Sequence, residues 1–340
     1  MKVGVFLPSF LFAENIQDGA ESLRAFARRA EELGFDSLWI TDHIVTARRF
    51  YSTSWLDAIT TLSHVAAITE RVQLGTSILI LPLRQPAVLA KEIATLHHLS
   101  GERFIFGVGT GWYGPEFEAC GVHRSERGSR TDEVLACTSS LLRNDDVTYS
   151  GRYYQLDGVT VEPHPRRPPL VWVGGGRQLP HVSSPEEARM NPRVLDRIVG
   201  SDGWIARPTC PPELISVDAA EIRALRSRLG KSSHPFTMAH ENFTWIEETG
   251  TEEQIVGEQQ RRFSRIVSDE RPWDYISAVY LTGSIEQIQK SIQARVDAGI
   301  SYLMLHTLSF DLHQLELLSK YVLEPFGSAG SNATAGDGGA

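Results

Sequence analysis

Apolar residues along the chain fall into two alternating kinds of segment. One kind is short and almost wholly apolar; the other is longer, with apolar residues at helical spacing. Lys2 to Leu7 reads as a first strand, and Leu23, Phe26, Ala27, Ala30 and Leu33 then form a helical stripe closed by Gly34. Ser37 to Thr41 predicts a second strand and Trp55 to Thr69 a helix. Val72 to Leu81 has almost no polar alternation, as a strand buried on both faces of a parallel sheet requires. Pro86 opens a helix with Leu89, Ile93 and Leu96 on one face. Phe104 to Val108 returns as a strand and breaks into Gly109-Thr110-Gly111-Trp112.

The alternation continues downstream. Gly128 to Arg143, Glu186 to Val199, Glu213 to Leu229 and Thr251 to Val267 read as helices, and residues 180–185 as loop. Leu170 to Val173, Gly203 to Ile205 and Phe236 to Trp245 read as strands. Ser284 with Gln287 forms a capping box opening a helix to Asp297; Gly299 ends it, and Tyr302 to His306 is the eighth strand. Asp311 with Gln314 repeats the capping-box pattern. Asp145 to Pro163 differs in kind, with Ser150-Gly151 between runs of Val, Thr and Tyr, a hairpin inserted between helix and strand. Eight strands alternating with helices predict an α/β fold, a (β/α)8 TIM barrel with insertions, as one domain over residues 1–327. A doubly wound sheet is the alternative. Residues 328–340 are mostly Gly, Ala and Ser without core residues and read as a disordered tail, whose Asn332-Ala333-Thr334 sequon is idle without export.

Composition narrows the function classes. With 41% hydrophobic and 22% charged residues, the 340-residue chain has ample material for a core. A formal charge of -9 argues against nucleic acid or an anionic membrane surface as the main partner. Cys120, Cys137 and Cys210 are odd in number and far apart, which fits a reducing cytoplasm. Met1 to Ala13 has a faint signal-peptide look, but Pro8 interrupts its apolar run. No stretch approaches the roughly 20 apolar residues of a membrane span.

Three strand ends carry candidate chemistry, at the face where ligands bind in parallel α/β folds. Asp42-His43 follows the second strand: a histidine there is placed to act as acid or base, or Asp42 is a helix cap beside a structural histidine. Gly107-Val108-Gly109-Thr110-Gly111 fits a dinucleotide fingerprint poorly, because Trp112 stands where the last glycine belongs. A glycine wall that lets a flat ring approach the backbone, with Trp112 packed nearby, suits it better. Gly174-Gly175-Gly176-Arg177 offers backbone N–H groups beside a cation, suited to a phosphate, or is a plain turn. The histidines make no metal site by spacing: His97 and His98 are adjacent and point apart, and His306 either faces the pocket or is buried and structural. There is no G-x-S-x-G elbow for an acyl-transfer nucleophile.

Several ordered segments together resemble the bacterial luciferase-like family of flavin- and deazaflavin-dependent oxidoreductases. They are EELGFDSLWITDH at Glu31 to His43, RVQLGTSILILPLRQPAVLAKEIATL at Arg71 to Leu96, SGERFIFGVGTGWYGPEFEACGV at Ser100 to Val122, and VWVGGG at Val171 to Gly176. The closing run from Gly299 to Phe326 is also similar. The resemblance implies a TIM barrel holding a flavin-type ring at its carboxyl face. It implies ring support by Thr76, Ser77 and Ile78, with a cis peptide at Ser77-Ile78, and a loop of Thr110, Gly111 and Trp112 along the ring. It further implies phosphate binding by Gly174, Gly175 and Gly176 with Arg177, and chemistry by His43, Asp42 and Glu116, His43 handling the proton.

The TDH and GTSI segments look most like the branch that uses coenzyme F420, a hydride-carrying 5-deazaflavin. The implied reaction is hydride transfer between F420 and a small organic substrate. The alternatives are an FMN-dependent monooxygenase supplied with reduced flavin by a partner reductase, and a non-catalytic flavin-binding relative. Arg48, Arg49, Arg84 and Arg177 are the candidate cations for the acidic coenzyme tail. The lysine set of sugar-phosphate-oxidising members is not evident. A cytoplasmic homodimer is the expected setting, and the variable segments 145–163 and 177–201 are expected to shape the substrate pocket.

Overall fold

The computed structural model describes residues 1–9, 18–47, 50–51, 53–180, 189–267 and 271–327. Arg48, Arg49, the tail from residue 328, and residues 181–188 of the expected loop and helix lie outside the described residues. The strands in chain order are β1 (Lys2–Phe6), β2 (Ser37–Ile40), β3 (Gln73–Thr76), β4 (Leu79–Ile80), β5 (Phe104–Gly109) and β6 (Val147–Ser150). They continue as β7 (Gln155–Val159), β8 (Leu170–Gly175), β9 (Gly203–Ala206), β10 (Thr237–Phe243) and β11 (Tyr302–His306). Apart from the antiparallel β6–β7 hairpin, these described strands pair only in parallel, and the order β3-β2-β1-β11-β10-β9-β8-β5-β4 closes through a further β3–β5 pairing. With β3 and β4 counted as one interrupted strand, this is the expected eight-stranded barrel.

Strand alternation sends one set of side chains inward and the other against the helices. The lumen is filled by Phe6, Trp39, Ile105, Trp172, Ile205, Ala239, Tyr302 and Met304. Trp39 and Trp172 stack with centroids 5.3 Å apart, and Tyr302 donates its hydroxyl to Ser37 Oγ at 2.7 Å, so the one phenol in this layer is satisfied. Each such buried side chain contributes about 1.5–3 kcal/mol of transfer free energy, enough to make the lumen a packed plug rather than a channel. The lumen therefore leaves no room for a ligand between the strands.

Three elements depart from expectation for local reasons. The helix expected from Trp55 begins at Ala58, because the Asp57 carboxylate accepts the Thr60 N–H at 2.8 Å and sets the cap there. The helix expected over Glu186 to Val199 spans Pro192–Val199, with Asn191 as its cap. Asp311 caps a helix at Leu312–Leu318 through the His313 N–H, but Gln314 does not complete a capping box. Its amide instead makes two hydrogen bonds with the Ile246 backbone, N–H to Oε1 at 3.0 Å and Nε2–H to carbonyl at 2.9 Å. The Ser284–Gln287 box forms as expected.

Candidate active site

The Val72 to Leu81 run breaks in two, and that break shapes the rim. Between β3 and β4 the Ser77–Ile78 peptide is cis, as expected, although no proline follows. Ile78 enters the space between β5 and β8. A Cβ on Gly109 would come within 2.8 Å of Ile78 Cδ1, and one on Gly174 within 2.7 Å of its Cγ2. Both glycines are required for the split strand to seat there. Thr76 Oγ1 donates to the Gly107 carbonyl at 2.7 Å and fastens the same joint.

Asp42 and His43 stand one and two residues beyond Thr41, at the end of β2, and point to different partners. Asp42 is buried; its Oδ2 accepts the Ile80 N–H at 2.9 Å and its Oδ1 a guanidinium N–H of Arg84 at 2.8 Å. Burial raises the Asp42 pKa, against the opposing pull of Arg84 and the Ile80 amide. Asp42 thus ties the end of β2 to β4. Arg84, one of the candidate tail cations, is spent on that tie.

His43 Nδ1 lies 3.0 Å from Glu116 Oε1, which also accepts the Ile44 N–H at 2.8 Å. Glu116 is fully buried on the short helix Gly114–Ala119, and its Oε2 has no hydrogen-bond partner among the described residues. An oxygen already accepting an amide proton orients the imidazole with Nδ1–H toward it, leaving Nε2 as the nitrogen free to exchange a proton. Trp55, Trp112 and Tyr51 surround the imidazole, with ring centroids 5.0, 6.0 and 6.2 Å away. Trp112 is 39% exposed, so part of its indole meets solvent at the rim. Thr110 and Gly111 lead into it, with only a long 3.4 Å contact from Thr110 Oγ1 to the Gly111 carbonyl.

Opposite this cluster is a feature not anticipated from sequence. Ser77 Oγ donates to Glu241 Oε2 at 2.6 Å, and Glu241 Oε1 lies 3.0 Å from His306 Nε2. His306 is buried between Phe6 and Phe243, stacked on both at 3.6 and 4.0 Å, and burial lowers its pKa. It takes the structural alternative of the two open for it. Glu241 could have been flagged only as the one carboxylate among the polar residues of β10.

At the glycine loop, Gly174 and Gly175 end β8, and Gly176 adopts a φ of +119°. Arg177 donates its backbone N–H to Asp218 at 2.7 Å, and its guanidinium pairs with Asp218 and with Glu221, the latter at 2.7 Å. Its charge is therefore balanced within the protein. No group of three or more His, Cys, Asp or Glu among the described residues could hold a metal ion, and no described helix is long and apolar enough to cross a membrane.

The sequence model of the luciferase-like monooxygenase family matches residues 1–254. The chain belongs to that family. An F420-dependent glucose-6-phosphate dehydrogenase of Kineococcus radiotolerans is 30% identical over 299 residues, 84% of this chain and 86% of that protein. Among solved structures, monooxygenase RslO1 from Streptomyces bottropensis superposes with a TM-score of 0.78 at 20% identity, covering 96% of this chain and 100% of that one. An F420-dependent secondary alcohol dehydrogenase in complex with an F420–acetone adduct gives 0.76 at 20% identity, covering 94% and 98%. At that identity the two structures speak for the shared barrel fold.

Proposed function

We propose that this luciferase-like protein exchanges hydride between coenzyme F420 and a small organic substrate at the barrel rim, with His43 moving the accompanying proton. The observation that carries the reading is the pairing of a Glu116-oriented imidazole with a slot walled by Gly109, Ile78 and Gly174. A flat ring would lie against the Ile78 side chain, which the two glycines let sit back between β5 and β8, with the exposed part of Trp112 as a stacking partner. Thr76, Ser77 and Ile78 would back the ring, Thr110, Gly111 and Trp112 would flank it, and the loop from Gly174 to Gly176 would receive its phosphate. When bound, the deazaflavin supplies a hydride donor or acceptor.

The protein's own part is to orient, exclude water and move a proton. Glu116 holds Nδ1 so that Nε2 serves as acid or base. Asp42 is a positioning residue, joining the histidine's strand to β4. Trp55, Tyr51 and Trp112 dry the imidazole's surroundings. The relative named as an F420-dependent dehydrogenase supports this reading over the FMN alternative. The family's description as luciferase-like monooxygenases favours the second reading, oxygen insertion with reduced FMN from a partner reductase.

Titration of the purified protein with each cofactor tests the choice. Tight F420 binding is expected; FMN binding with oxygen uptake in its reduced form would replace this reading with the second. A homodimer, as the family resemblance implies, should scatter light as twice 37.8 kDa.

A further inference from the structure

The sequence offers four arginines as tail cations, and the structure leaves neither of the two described ones available. Arg84 is bound by Asp42, and Arg177 by Asp218 and Glu221. A different cation stands at the rim. Arg207 directly follows β9, where Gly203 and Ile205 face the lumen, so the two-residue period carries it inward at the mouth. Since Ala206 pairs with Gly175, Arg207 comes alongside Gly176, the last of the three glycines.

Arg207 is exposed to solvent, and its one recorded side-chain bond runs from Nη1 to Gln178 Oε1 at 3.0 Å, an oxygen that also accepts from Thr209 at 3.3 Å. No described carboxylate lies in ion-pair range of it; Asp218, which acts on it from a distance, is already held by Arg177. Surrounding protein holds its guanidinium below the usual range, with Arg127 adding like charge. Arg127 is itself partly buried and forms no ion pair with a described carboxylate. Two arginines without a described carboxylate partner thus leave positive charge at the mouth of a chain of formal charge -9, a local setting that attracts an anion.

The Arg207 backbone is also fixed. Its carbonyl accepts from Nε2 of the fully buried His240 at 3.0 Å, and His240 Nδ1 accepts from Arg295 at 3.2 Å. Four guanidinium N–H groups therefore project from a pinned strand end.

We propose that Arg207, assisted by Arg127 and the Gly176 backbone, is the anchor for a phosphate- or carboxylate-type oxyanion at the barrel mouth. This rests on the reading of the rim as a ligand site given above. The anion has two possible sources: the phosphodiester of the coenzyme tail or an acidic group on the substrate.

The test uses the full-length protein and its Arg207→Met, Arg207→Lys and Arg127→Met variants, with unliganded melting temperatures as the folding control. Three probes are titrated: coenzyme F420, 5-deazariboflavin lacking any phosphate, and inorganic phosphate alone. For the coenzyme as source, Arg207→Met weakens F420 binding about tenfold or more and leaves 5-deazariboflavin unchanged, with Arg207→Lys between. For the substrate as source, F420 binding is unchanged, while inorganic phosphate raises the melting temperature of the wild type and not of Arg207→Met. Wild-type behaviour of both Met variants with all three probes overturns the proposal. The phosphate arm contains no ring compound, so its outcome stands even if neither deazaflavin binds.

Discussion

Ser77 and Glu241 sit on opposite walls of the barrel, four strands apart in either direction, and meet at 2.6 Å across its mouth. The contact is a polar strut beneath the proposed ring site, held on its other oxygen by His306. Glu241→Ala leaves the buried Ser77 hydroxyl without its acceptor, at about 1–3 kcal/mol for an unsatisfied group, and removes the carboxylate contact of His306. Glu241→Gln keeps an acceptor for Ser77 and is expected to retain most of the stability. Urea melts should rank wild type, Gln and Ala in that order, and F420 affinity should follow the same order.

His43→Ala is expected to bind the cofactor almost as wild type does and to lose about 10²-fold or more in turnover, the usual contribution of a positioned acid or base. Glu116→Gln keeps an acceptor but no longer carries the charge that supports an imidazolium, so a smaller loss in turnover is expected. Single-turnover rates measured beside binding constants separate the two effects. Unchanged turnover in His43→Ala removes it from the mechanism.

Arg84→Met leaves the Asp42 carboxylate buried without its cation, which costs about 3 kcal/mol or more at neutral pH. The sign of the pH dependence follows from burial. The folded pKa of Asp42 is already raised, so the carboxyl binds a proton more readily folded than unfolded, and its contribution to stability falls as pH rises through that folded value. Removing Arg84 raises the folded value further. The deficit of Arg84→Met relative to wild type should therefore widen from pH 5 to pH 8 in urea melts.

His240 gives the opposite dependence. Its Nδ1 accepts from Arg295 and its Nε2 donates to the Arg207 carbonyl, so a second ring proton would face the guanidinium. Burial first and Arg295 second hold its pKa well below 6.5. The unfolded chain thus binds the extra proton more readily, and stability is lost as pH falls below about 6.5, at up to about 1.4 kcal/mol per pH unit. His240→Gln offers one donor and one acceptor without titrating. Its stability should decline less steeply than that of wild type between pH 6.5 and 5.

Gly174→Ala places a methyl group 2.7 Å from Ile78 Cγ2, so Ile78 must yield. Cofactor affinity should fall with a smaller change in melting temperature, because the clash lies at the rim rather than in the plugged lumen. Equal binding by this variant would contradict the assignment of the slot.

The barrel was legible because its strands are buried on both faces and its helices carry single apolar stripes, two periods that differ in any window of about ten residues. Asp42 and His43 were legible from their place after β2, whereas Glu116 came only through the family's pattern. Charge pairing was not legible. Asp42 meets Arg84 from 42 positions away, and Arg177 meets acids 41 and 44 positions downstream on the helix Pro212–Arg228. An arginine neutralised by such partners looks the same in sequence as Arg207, which has none described. Gln314 shows the same limit: a local capping pattern lost to a backbone partner 68 residues away.

Glu116 has one further implication, for engineering. A single carboxylate oxygen grips both the imidazole of His43 and the amide of the residue after it, from a helix that belongs to a different βα crossover. Transplanting either crossover alone into a related barrel would deliver half of a clasp. A chimera that moves both together should keep the histidine's aim, and one that splits them should not.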